Sequence, residues 1–372
     1  MRKIGITGQN GFVGQHLYNT LGLFPEEFER IDFQKEYFDN ESQLDEFVAN
    51  CDVIVHLAAM NRHESEQFIY DTNVNLAQKL VDSLQRTHSN AHVMISSSTQ
   101  EERNNLYGKS KREGREILVN WANNNGGKVT GLIIPNVFGA FGKPFYNSFI
   151  ATFCYQLTNG EIPTIANDGE VKLIYVQELV TIIINEIREA SSKSEFFVEP
   201  TAIKQVSEVL ALLNNYKVKY LDGGEIPEIN NSFEHNLFNT YRSYINYKEY
   251  YPIKFVQHTD PRGAFVEIIR LGIGGQCSFS TTVSGITRGN HYHTRKIERF
   301  AVIKGKALIQ LRKIGSDEVL DFYLDGDEPA YVDMPIWYTH NIKNIGEDEL
   351  YTIFWIDEPF NPEDSDTYFE TV

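Results

Sequence analysis

The spacing of apolar positions changes once along this chain. Over roughly the first two-thirds, short runs that are apolar throughout alternate with longer stretches carrying apolar residues at helical period. The runs Lys3 to Thr7, Asp52 to Ala58, His92 to Ser96 and Val129 to Pro135 predict strands. Asn73 to Arg86 and Tyr107 to Asn123 predict helices between them, and a glycine turn opens a further helix near Gly11. A strand that is apolar on both faces needs cover on both, which predicts a parallel sheet with helices on either side. After about residue 235 the pattern breaks. Asn239 to Pro252 is aromatic and polar without clean periodicity and reads as a connection between domains. From Phe255 onward, short alternating segments are split by turn residues such as Gly272 to Gly275, Gly315-Ser316 and Asp325-Gly326, which predicts an all-β, antiparallel second domain. The expected division is 1–250 and 251–372.

Composition agrees with two cores. A length of 372 residues exceeds one ordinary core, and 41% hydrophobic with 13% aromatic residues is enough to fill two. A net charge of −17 argues against a nucleic-acid partner and against a polybasic membrane surface. The N-terminal residues enter a strand at once and no apolar run is long enough to insert in a membrane, so a cytoplasmic location is expected. Cys51, Cys154 and Cys277 lack the spacing of a disulfide framework or a zinc ribbon and read as reduced thiols.

Candidate chemistry falls into two sets. The first is Gly8-Gln9-Asn10-Gly11-Phe12-Val13-Gly14 directly after a strand, where backbone N–H groups and a helix N-terminus can meet a pyrophosphate. Downstream, Ser96-Ser97-Ser98 precedes Tyr107 and Lys111, whose gap of four puts phenol and amine on one helix face. A phenol titrates near ~10 and needs a neighbouring ammonium to exchange protons at neutral pH. Asp32, after the second strand, would accept the ribose hydroxyls of NAD, whereas Arg30 and Lys35 would hold the 2′-phosphate of NADP.

These residues, with His56-Leu57-Ala58-Ala59 and Pro135-Asn136-Val-Phe-Gly139, resemble the extended short-chain dehydrogenase/reductase family over roughly residues 1–240. The resemblance implies a doubly wound parallel sheet of Rossmann type and a nicotinamide on Gly8, Asn10, Gly11, Phe12, Val13, Gly14, Leu57 and Ala58. It also implies Tyr107 as proton donor, Lys111 on ribose and tyrosine, Ser98 on the substrate oxygen and Asn136 at the sugar-nucleotide edge. The Thr-Asp-Glu triplet of the sugar 4,6-dehydratases reads Ser98-Thr99-Gln100 here, so carbonyl reduction is favoured over dehydration.

The second set is Gly285-x5-His291-x-His293-x4-Glu298-x6-Gly305, followed by Pro335-x-Trp337-x2-His340-x3-Asn344. Histidines two apart on a strand share a face, so His291 and His293 can reach one ion with Glu298 and His340. Imidazole and carboxylate suit zinc, iron, manganese or nickel, and zinc is expected because nothing in the sequence suggests oxygen chemistry. The spacing fits the first cupin motif, and the second departs from it with Trp337 in place of glycine. Asp260-Pro-Arg262-Gly-Ala-Phe265-Val-Glu267 and Gly285-Ile-Thr-Arg288-Gly-x-His291-Tyr292 are similar to the cupin-fold epimerases of deoxysugar nucleotides. That similarity implies Arg262 and Glu267 at the nucleotide-sugar site. Those epimerases work without a metal and use the histidine at the His291 position as base. With His293 and Glu298 both present, ligation is favoured here and the base lies elsewhere, with Tyr338, Tyr292, Lys296 and His258 as candidates.

The order of the two domains resembles the bifunctional epimerase–reductases of UDP-N-acetyl-L-fucosamine synthesis in capsule and O-antigen pathways. The resemblance implies epimerisation at carbon 3 of a UDP-linked 4-keto-6-deoxy-N-acetyl sugar, reduction at carbon 4 with NADPH (NADH remaining open), bound Zn2+ and a homodimer. The rival reading is a single-activity reductase whose second domain is a metal-stabilised binding or dimerisation module.

Overall fold

The computed structural model describes residues 1–260, 263–266, 268–358 and 361–372. They form two compact units, residues 1–152 with 167–206 and residues 153–166 with 207–372.

The first unit is built on a six-stranded parallel sheet. Its spatial order is Phe28–Ile31, Arg2–Thr7, Val53–His56, His92–Ser98, Lys128–Ile134, Lys193–Phe197. Successive residues on one strand feed different cores, as a pleat requires. Val53, Val55 and Met94 pack with Leu17 and Ile183, whereas Ile54 and Val93 pack with Leu80 and Trp121. That alternation confirms the doubly wound arrangement. The strand Arg2–Thr7 has the second strand on one side and the third on the other. The connections leaving the first and third strands therefore run in opposite directions, and the crevice between their carboxyl ends, beside Gly8 and Leu57, is where such sheets hold ligands.

The second unit contains two five-stranded antiparallel sheets. One runs Ile253–Lys254, Ala330–Met334, Glu298–Lys304, Leu350–Ile356, Gln276–Thr282. The other runs Val319–Asp325, Lys306–Lys313, Tyr338–Asn344, Thr287–Tyr292, Tyr368–Phe369.

Residues 207–250, placed with the first domain on sequence grounds, pack in this second unit. Asn239 to Pro252 is no open connection either. It contains the end of the helix Ser232–Arg242 and the short helix Tyr247–Tyr250. Asn231 caps the longer helix, its side chain accepting from the Glu234 N–H at 3.0 Å. Phe233, Leu237 and Tyr241 recur at helical spacing on the longer helix and are buried, a stripe that a boundary at Asn239 cuts short, and Tyr247 and Tyr251 are buried beyond it. Tyr220 donates to Asp333 at 2.6 Å and Arg242 donates to the Met334 carbonyl at 2.9 Å, both on the strand Ala330–Met334. Asp333 also receives both prongs of Arg299, at 2.7 and 3.0 Å, and that guanidinium lies 3.7 Å from the centre of the Tyr331 ring.

Candidate functional site

The glycine turn has the form that a dinucleotide requires. Gly8 sits at φ +79°, accepts the Gly11 N–H at 2.9 Å, and hands the chain to the helix Phe12–Leu21 with Gly11 as cap. A Cβ on Gly14 would stand 2.2 Å from the Gly8 carbonyl oxygen, so helix and turn can approach only with glycine there. No side chain among the described residues caps this helix, which leaves its N–H groups for an anion. Asn10, Phe12, Val13, Leu57 and Ala58 line the cavity that begins at this turn, of about 790 Å³. Asp32 does not line it. Its carboxylate accepts from the Tyr18 hydroxyl at 2.8 Å, and Arg30 lies 4.3 Å from the centre of the same ring.

Ser98, Tyr107, Lys111 and Asn136 line the same cavity. Asn105 caps the helix Leu106–Asn125 by accepting from the Gly108 N–H at 2.7 Å, which sets Tyr107 and Lys111 one turn apart facing the sheet. Burial, reinforced by Tyr146, pushes the Tyr107 phenol up to about 12, so it is protonated at neutral pH. Lys111 is buried, and its ammonium donates to Ser96 Oγ at a long 3.5 Å. Desolvation lowers the amine to about 8. Ser98 accepts from the Gln100 N–H at 3.2 Å, an arrangement that leaves its hydroxyl proton for a ligand oxygen. Glu101, next in sequence to the missing dehydratase triplet, is not a free acid. It is buried against Arg115, whose guanidinium donates to both its oxygens at 2.9 and 2.7 Å. Burial raises this carboxyl and the bonds from Arg115 and Ser97 more than offset it, leaving it lowered.

The cavity wall also holds polar residues that the motifs did not point to. Asn61 accepts from the Tyr107 hydroxyl at 3.1 Å, and Arg62 and Lys143 bring cations to the cavity wall. For Asn61 and Arg62 the one signal was position, since only Met60 separates them from His56-Leu-Ala-Ala59; Lys143 had none.

In the second unit the four predicted ligands converge. Their ligand atoms lie within 4.8 Å of one another, with His293, Glu298 and His340 buried. Register accounts for this, because His291 faces His340 across paired strands and Glu298 begins the next strand. His293 Nδ1 lies 2.6 Å from the Asp366 carbonyl oxygen and must donate to it, so Nε2 presents its lone pair to Glu298 Oε2 at 3.2 Å. Two electron-rich atoms facing each other need a cation between them. A proton meets that need in part: burial lowers His293, and Glu298 outweighs it, so the imidazole is raised overall. His340 Nε2 stands 3.3 Å from the same carboxylate oxygen and is buried without a hydrogen-bond partner among the described residues. Burial and then the other two imidazoles push His291 down to about 4, keeping it neutral and able to ligate. Three imidazoles, one carboxylate and an orphaned ring nitrogen fit a divalent metal.

A second cluster, His235, Asp357 and Glu358, offers no comparable set. Asp357 takes His235 and the Ile297 N–H, and Glu358 is paired with Arg295.

Trp337 adopts φ +60°, the conformation expected of the glycine it replaces, and is held by its N–H on the His293 carbonyl at 2.7 Å. Tyr338 lies two residues before His340 on one strand, with its phenol pushed up to about 12 by burial and the nearby Glu318. Arg262 and Glu267 lie outside the described residues. No helix among the described residues is long and apolar enough to cross a membrane.

Residues 4–197 match the NAD dependent epimerase/dehydratase family, and residues 258–368 match the polysaccharide biosynthesis C-terminal domain. The chain is 32% identical to the UDP-2-acetamido-2,6-beta-L-arabino-hexul-4-ose reductase of Pseudomonas aeruginosa, over 98% of both chains. It is similar to the crystal structure of the capsular polysaccharide assembling protein CapF from Staphylococcus aureus, with 34% identity, full coverage of both chains and a TM-score of 0.63. Over 30% of its length it is 28% identical to the spore coat polysaccharide biosynthesis protein SpsL of Bacillus subtilis, covering 82% of that protein.

Proposed function

The chain belongs to the NAD dependent epimerase/dehydratase family, and from that membership we propose that it is a bifunctional sugar-nucleotide enzyme of capsule or O-antigen synthesis. Its substrate is a UDP-2-acetamido-2,6-dideoxy-4-hexulose. The second unit, a cupin, inverts carbon 3, and the first reduces the 4-ketone to give UDP-2-acetamido-2,6-dideoxy-L-talose. The enzyme acts as a homodimer with NADPH and Zn2+. The observation that carries this reading is that one chain holds both a dinucleotide cavity lined by Ser98, Tyr107 and Lys111 and a separate cluster of His291, His293, Glu298 and His340.

NADPH, when bound, supplies the hydride that goes to carbon 4. Ser98 then donates to the ketone oxygen, and Tyr107 gives that oxygen its proton. Lys111 bonds the ribose and, while charged, stabilises the phenolate left behind. Arg62 and Lys143 offer charge to the diphosphate. Zinc, when bound by His291, His293, Glu298 and His340, supplies a Lewis acid for the ketone oxygen. Arg262, Glu267 and Tyr338 hold the sugar nucleotide at that second site.

Tyr107→Phe tests the division of labour. It should abolish NADPH oxidation on the UDP-4-keto sugar while deuterium still enters carbon 3 from heavy water. Normal reductase kinetics in this variant would remove Tyr107 as the donor.

A further inference from the structure

The metal cluster depends on a residue far from it in sequence. His293 and Glu298 bracket a four-residue connection, and the amides of that connection end on carboxylates. Asp366 accepts from the N–H groups of Thr294, Arg295 and Lys296 at 3.1, 3.0 and 3.2 Å and from the Thr294 hydroxyl at 2.6 Å. The Ile297 N–H goes to Asp357 at 2.9 Å. The backbone carbonyl of Asp366 also takes His293 Nδ1 at 2.6 Å. One residue thus fixes both the length of the connection and the tautomer of a ligand on it.

Asp366 adopts φ +41° to do this, a conformation uncommon outside glycine though better tolerated by aspartate than by most, and is 3% exposed. The surrounding C-terminal segment over-determines that geometry. Tyr368 and Phe369 pair with Tyr292 and His291, and the Glu370 N–H donates to the Asn290 carbonyl at 3.0 Å. Arg312 holds Glu370 and the Thr371 carbonyl, each at 2.7 Å, and Arg295 holds Asp364. The Tyr368 ring stacks on Tyr292, and Tyr292 stacks on Trp337. Backbone strain retained by this many contacts points to a use for it.

We propose that Asp366 is a positioning residue of the metal centre, and that residues 361–372 form a strap which sets metal affinity by holding His293 and the 294–297 connection. This rests on the metal reading of the cluster given above. The carbonyl holds the His293 ring with Nε2 toward the cluster. The carboxylate keeps His293 and Glu298 at the separation one ion needs. Linkage makes the effect mutual, so a bound ion holds the strap down by the same factor that the strap tightens the ion.

The test uses the full chain stripped with chelator and titrated with Zn2+ against a chromophoric competitor. Asp366→Gly accommodates the positive φ and deletes the carboxylate, and should weaken zinc binding about 10- to 100-fold, the usual cost of losing a partner behind a ligand. Asp366→Asn keeps one acceptor oxygen and should lie between that variant and the parent. Zinc affinity of Asp366→Gly within twofold of the parent overturns the proposal. Should the glycine variant fail to fold, hydrogen exchange on the parent protein decides. The amides of Thr294, Arg295 and Lys296 should exchange at least tenfold more slowly with Zn2+ than without, and equal rates overturn the proposal. A parent protein that takes up no zinc removes the metal reading and this proposal together, whereas a zinc-binding parent with an indifferent Asp366 removes this proposal alone.

Discussion

Gly14→Ala should separate cofactor binding from folding. The added Cβ would meet the Gly8 carbonyl oxygen at 2.2 Å and backbone atoms of Gln9 at 2.8 and 2.9 Å, none of them able to rotate away. The turn must retreat by about 1 Å, enough to spoil a hydrogen bond from its N–H groups to a pyrophosphate. One charge-assisted bond lost costs roughly 1.5–3 kcal/mol, or about 10- to 150-fold in NADPH affinity. The assay is a fluorescence titration of NADPH, with thermal melting to show that the variant is folded. Gly169→Ala is the control, since a Cβ there meets nothing within 4 Å and affinity should not change. A folded Gly14→Ala protein binding NADPH within twofold of the parent would refute the placement of the pyrophosphate at this turn.

Three further expectations follow from the same geometry. Lys111 is charged below about 8 and neutral above it, so kcat/KM for reduction should fall as pH rises through that value, and a profile flat to pH 10 would remove its electrostatic role. Burial lowers His56 to about 3 and His92 to about 4, so both are neutral in the fold while the unfolded chain takes up protons below about 6.5. Their contribution is whole above that pH and declines as pH falls, by roughly 3 kcal/mol each at pH 4; urea melts from pH 7 to 4 measure it, and a constant midpoint would contradict it. Arg299→Met leaves the buried Asp333 carboxylate without its cation and should cost about 3–5 kcal/mol, while Arg299→Met with Asp333→Leu should recover most of that in denaturant melts.

Much of both sites was legible in the sequence because each rests on residue types with few substitutes. Gly8 and Gly14 are demanded by backbone geometry, helical spacing brings Tyr107 and Lys111 to one cavity, and strand pairing brings His291, His293, Glu298 and His340 together. The resemblance to the epimerase–reductase family likewise holds over the full length. What stayed hidden has physical reasons. The helix Ser232–Arg242 carries its buried stripe across Asn239, so a segment that begins there shows only the last turn, and Tyr216, Tyr220 and Tyr241 meet through ring contacts that residue spacing does not display. Asp366 acts on His293 from 73 residues away through a backbone carbonyl, which leaves no mark on residue type. Asn61 reaches Tyr107 across 46 residues and looks like a loop asparagine. Trp337 shows the converse: the motif asks for the glycine conformation, and the chain takes it up with a bulky residue because Tyr292 and the His293 carbonyl hold it.

The central claim is that one chain performs two reactions on one sugar nucleotide. Its most direct test is to incubate the protein in heavy water with a UDP-4-keto-6-deoxy-N-acetyl sugar, first without and then with NADPH, and to follow carbon 3 by NMR. Deuterium should appear at carbon 3 before any cofactor is added, and NADPH should then be consumed as the 4-ketone disappears. Normal NADPH consumption with no exchange at carbon 3 would contradict the account and leave the histidine cluster as a structural centre in a single-activity reductase.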